Sequence, residues 1–172
     1  NIAKADMAVS LKGATVNNLT LNYATGVLNG SADKLMATLD GATAVTVDAD
    51  SNFESVEIRT IADSKITSIV APNATALTLS GNAALELTSG VNTFTDYTVT
   101  NTGKVTYNNI TSVKTFNAAS NTGGIVGKDL NATTTLDNGT SQDVLTMSTT
   151  GSLVQTGSGN DNINVDTSAL FS

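Results

Sequence analysis

Leu77, Leu87, Tyr97 and Tyr107 stand ten residues apart, and each sits in a short run where apolar and polar residues alternate. Such alternation marks half-buried strands, in which successive side chains point to opposite faces. The runs include Leu19-Thr20-Leu21, Val45-Thr46-Val47, Val56-Glu57-Ile58, Leu77-Thr78-Leu79, Leu85-Glu86-Leu87 and Val105-Thr106-Tyr107. Clusters of Gly, Asn, Asp and Ser between them supply turns. A constant step implies rungs. Two such strands with their turns make about one coil of a parallel β-helix or β-roll, a β-solenoid in which each coil buries its inward side chains against the next. The expected fold is therefore all-β. An antiparallel β-sandwich, which also spaces short strands regularly, is the alternative.

Composition agrees with strands. The 172 residues include 29 Thr and 19 Asn, a single Arg (Arg59) and no Trp, so the core rests on Leu, Val, Ile and Ala. Thr suits the outward positions of a pleated surface. Before the alternation begins, Ala3, Ala5, Met7, Ala8 and Leu11 are compatible with a short helix over residues 1–13, with Gly13 as its left-handed stop. The chain then divides into a β-solenoid over 14–130 and an end region over 131–172.

That end region has a tighter rhythm, because Leu136, Leu145, Val154 and Ile163 fall nine residues apart. Asn138-Gly139-Thr140-Ser141-Gln142-Asp143-Val144-Leu145 lies over Thr156-Gly157-Ser158-Gly159-Asn160-Asp161-Asn162-Ile163, with the Gly, Asp and apolar positions repeating. The unit approaches Gly-Gly-x-Gly-x-Asp-x-apolar-x, the nonapeptide of the repeats-in-toxin (RTX) pattern. Glycine lets a turn take positive φ and aim carbonyl oxygens inward, while an Asp carboxylate from one coil meets the carbonyls of the next. Calcium, which takes six to eight oxygens, suits that arrangement. Asp143 and Asp161, one coil apart, are the sharpest metal candidates, with Asn138, Gly139, Gly157 and Gly159 forming their turns. Asp33, in Asn29-Gly30-Ser31-Ala32-Asp33-Lys34-Leu35, sits in a similar stretch one residue shorter, where an ordinary turn is the better reading.

On Leu28 to Leu39, Val45 to Asp50, Phe53 to Ile58, Leu77 to Leu87 and Thr111 to Ser120, the chain resembles the RTX-type surface-layer proteins of Gram-negative bacteria. The resemblance implies a secreted, calcium-dependent β-solenoid at the cell surface, exported by type I secretion. Its partners would be other copies of itself in a lattice, with cell-surface polysaccharide as a second candidate. Two departures count against a long calcium ladder: Asn117 stands where similar chains often carry Asp, and most nonapeptide glycines are missing. An adhesin stalk or passenger module is the alternative role.

The remaining residues exclude several chemistries. With no Cys and no His, zinc sites of the usual kind, thiol nucleophiles, Ser-His-Asp triads and imidazole acid/base catalysis are ruled out within the chain. A net charge of −7 leaves no basic patch for nucleic acid. No apolar run reaches the length of a membrane-spanning helix. A polysaccharide-active β-helix enzyme would need carboxylates beside a base in a cleft, and the nearby pairs Asp48 and Asp50 or Glu54 and Glu57 read as solvated faces. The expectation is a structural protein, not an enzyme.

Overall fold

A computed structural model describes residues 6–13, 18–21, 28, 30–49, 51–88, 94–137, 139–147, 153–155 and 157–165. Among them there is no helix. The strands are β1 (Asp6–Lys12), β2 (Asn18–Thr20), β3 (Lys34–Asp40), β4 (Val45–Asp48), β5 (Ser55–Ala62), β6 (Ser64–Val70) and β7 (Ala76–Gly81). They continue as β8 (Leu85–Leu87), β9 (Asp96–Val99), β10 (Val105–Asn117), β11 (Ile125–Asp137), β12 (Val144–Met147), β13 (Leu153–Gln155) and β14 (Asn162–Val165).

Every ladder between these strands is parallel, so the chain is a β-solenoid and the antiparallel sandwich is excluded. One face runs β1-β3-β5-β7-β9 and the other β2-β4-β6-β8. Both faces meet in β10, whose Val105–Tyr107 pairs with β8 while its Thr115–Asn117 pairs with β9. β11 repeats this bend, passing one end to β12 and the other to β13. The ten-residue step thus alternates faces: Leu77 pairs with Tyr97 on one, Leu87 with Tyr107 on the other.

Coil length is not constant. Asp6 pairs with Lys34, Lys34 with Ser55, Ser55 with Ala76, Ala76 with Asp96, Val105 with Ile125, and Val144 with Asn162. The coil therefore shrinks from 28 residues to 21, to 20, and finally to 18.

The helix expected over residues 1–13 is corrected by β1 where the structure describes it, and residues 1–5 lie outside the described residues. Met7, Val9 and Leu11 turn inward while Ala8, Ser10 and Lys12 face solvent, and the strand lies in register on β3. An exposed edge rung offers enough pairing and burial to override the helical preference of alanine. Gly13 does stop the element, with φ +86°.

The core is a set of columns along the stack. Leu35, Val56, Leu77, Tyr97 and Phe116 form one, each at most 1% exposed. Phe116 joins the faces, with its ring 5.8 Å from that of Tyr97 and 5.5 Å from that of Tyr107. At one corner the interior is polar. Asn121 Nδ2 donates to Asn101 O (2.6 Å), Asn101 Nδ2 donates to Ala83 O (2.8 Å), and Thr60 Oγ1 donates to the same carbonyl (2.8 Å). This ladder satisfies turn carbonyls that burial would otherwise leave orphaned.

Candidate metal-binding turns

Where the strands of the second face begin, one backbone N–H per coil needs an acceptor from the next coil. Ser64 N donates to Ala84 O (2.9 Å), Leu85 N to Lys104 O (2.9 Å) and Val105 N to Gly124 O (3.0 Å). At the shorter coils the acceptor changes. Ile125 N donates to Asp143 Oδ1 (2.7 Å), and Asp143 N donates to Asp161 Oδ1 (3.1 Å). A carboxylate has taken over the work of a backbone carbonyl at the place where the coil loses two residues. Asp143 and Asp161 are thereby brought together, one coil apart, on the same side of the stack.

Their surroundings differ. Asp143 is fully buried and its Oδ2 has no hydrogen-bond partner among the described residues. Burial pushes its carboxyl up to about 6, against the pull of the Ile125 N–H, and the neighbouring Asp161 charge pushes in the same direction as burial. Asp161 is half-buried.

The glycines are placed as the turn requires. Gly139 (φ +86°) and Gly157 (φ +72°) stack so closely that a Cβ on Gly157 would lie 1.7 Å from Gly139 O. Gly159 sits over Ser141 in the same turn and also has positive φ, +149°. Asn138 lies outside the described residues.

Asp33 is not part of this group. It is buried beside β3, near the other end of the stack, where its Oδ2 accepts from Gly30 N (3.1 Å) and its own N–H donates to Glu54 Oε2 (2.6 Å). Those bonds clamp a turn. Among the described residues no three acidic side chains gather in one place. An ion at Asp143 and Asp161 would thus draw its other oxygens from turn carbonyls, and the buried, unpartnered Oδ2 is the atom that fits such a guest.

Glu57, Asp63 and Glu86 are engaged elsewhere. Burial raises the Glu57 carboxyl, but hydrogen bonds from Lys34 and Ser80 outweigh it and hold the group below its ordinary value. A cleft of about 370 Å³ lies over Thr43, Asp63, Lys65, Glu86 and Lys104. In it Lys65 Nζ sits 2.8 Å from Glu86 Oε1, and Asp63 Oδ1 accepts from Ala84 N at 2.9 Å.

Two features of the site escaped sequence reasoning. One is the substitution of side chain for carbonyl, which shows only once each N–H is traced to its partner. The other is Tyr107, whose phenol is raised by burial and by the charge of Asp143. Its tenfold spacing marked it as core and carried no signal of an acidic neighbour.

The class these features define is a parallel β-solenoid whose last described coils carry acidic, glycine-bearing turns. No protein-family model, curated protein or solved structure matches the chain.

Proposed function

We propose that the chain is a structural module of a secreted bacterial surface protein of the surface-layer kind, stiffened by calcium and self-assembling into a lattice, and that it is not an enzyme. The observation that carries this reading is the Asp143–Asp161 pair, with one buried carboxylate oxygen lacking a partner. Two carboxylates one coil apart repel each other and leave Asp143 charged in an apolar interior. A divalent ion held by Asp143, Asp161 and carbonyls of the Gly139 and Gly157 turns reverses both costs. An ion that binds only the folded chain stabilises by RT ln(1 + [L]/Kd), about 2.7 kcal/mol at a hundredfold excess over Kd. Calcium-rich surroundings outside the cell would then complete folding after export.

The repeated coils, the Thr-rich outer faces and the acidic balance favour a load-carrying surface over a catalytic cleft. Among the described residues no helix is long and apolar enough to cross a membrane. Neighbouring copies are the primary partners, and cell-surface polysaccharide is a second. The test is a calcium titration followed by circular dichroism and light scattering. A higher melting temperature with growing scatter is expected. Equal melting with calcium and with chelator removes the metal, and calcium-dependent ordering without association points to a monomeric adhesin stalk.

A further inference from the structure

The cleft on the second face crosses several coils. Lys65, Glu86 and Thr106 stand in register on β6, β8 and β10, so they line a track along the stack with about 4.8 Å between rungs. Thr43 extends the lining by one coil, and Asp63 and Lys104 border the side where the strands begin. The volume of about 370 Å³ lies at the lower end of small-ligand sites.

Its charges are unevenly used. Lys65 Nζ is paired with Glu86 Oε1 at 2.8 Å, and Asp63 Oδ1 accepts from Ala84 N at 2.9 Å. Lys104 is exposed, and its Nζ has neither a hydrogen bond nor an ion pair among the described residues. In a chain of net charge −7, an unpaired cation inside a cleft is where a carboxylate can be held. Asp63 Oδ2 and Glu86 Oε2 are likewise uncommitted among the described residues. These oxygens only accept, so the same ligand must bring hydroxyl donors. Their charge also turns away a dense polyanion such as a phosphate chain. Ala84 and the methylene stems of the lysines offer an apolar wall for the face of a sugar ring, and a track along the coils suits a linear chain.

We propose that this cleft binds a saccharide bearing uronic acid units, with a sugar carboxylate on Lys104 and sugar hydroxyls donating to Asp63 and Glu86. The assignment rests on the surface-protein reading, whose second partner it specifies, and needs no calcium.

The probe is a short oligogalacturonate, titrated into the full chain by calorimetry in chelator. Calcium then cannot bridge sugar and protein, and a failed calcium response in the separate melting experiment leaves the result standing. Saturable binding is expected. It should weaken about threefold to tenfold in Lys104→Gln, the scale of one charged contact at a partly exposed site. Lys114→Gln, at an exposed lysine of β10 outside the cleft, should leave it unchanged. A neutral oligosaccharide of the same length should bind more weakly by a factor similar to that of Lys104→Gln. Absence of saturable binding, equal binding of the neutral sugar, or equal losses in the two variants overturns the proposal. Calcium-dependent association of copies that is lost in Lys104→Gln, with no sugar bound, would assign the cleft to a neighbouring chain and overturn it too.

Discussion

Asp143 carries two opposite effects in one side chain. Oδ1 is indispensable to Ile125 N, while the charge is a liability in a buried place without a cation. Asp143→Asn keeps the acceptor and removes the charge. In chelator at neutral pH the variant should unfold at higher denaturant than the parent, by about 1–2 kcal/mol, and should no longer be stabilised by calcium. Asp33→Ala should do the reverse, lowering stability through its lost turn clamp while leaving the calcium response unchanged. Glu57 provides the pH dependence. Its folded carboxyl lies below the ordinary value of 4.5, so its contribution is present above that value and disappears as pH falls through the lowered one. Glu57→Gln should cost about 1–3 °C of melting temperature at pH 7, and progressively less as pH falls below 4.5 and through the lowered value, the scale of a partly buried ion pair.

At the level of strands and turns, the glycine stack is the most sensitive place. Gly157→Ala puts a methyl group against Gly139 O on a left-handed backbone. It should cost at least about 2 kcal/mol locally and free the amides of β13 and β14 for hydrogen exchange. Asp143 and Asp161 were legible in the sequence as a stacked pair, because an 18-residue repeat of Gly, Asp and apolar residues fits one coil of a solenoid. The alternation of faces was legible too, from Leu77, Leu87, Tyr97 and Tyr107. The first coil was not. Its 28 residues include connections with no apolar rhythm, so β1 looked like an isolated alanine-rich segment and its partner β3 could not be seen. Nor could the use of a carboxylate as a stand-in acceptor be read, since it depends on which N–H a shortened turn leaves uncovered. Tyr107 was missed because its ring fills the space that a side chain at Gly127 would occupy.

Across the whole molecule, each coil rests only on its neighbours, so stability should vary along the stack and not across it. β5 to β10 have rungs on both sides and fully buried columns of Leu, Ile, Tyr and Phe. In chelator their amides should exchange slowest, and those of β12 and β14 at least tenfold faster, with calcium narrowing the gap. A uniform exchange rate would contradict a nearest-neighbour stack. Coil length falls from 28 residues to 18 along the described stack, yet the shorter coils keep parallel ladders to their neighbours, so each rung still templates the next where residues are lost.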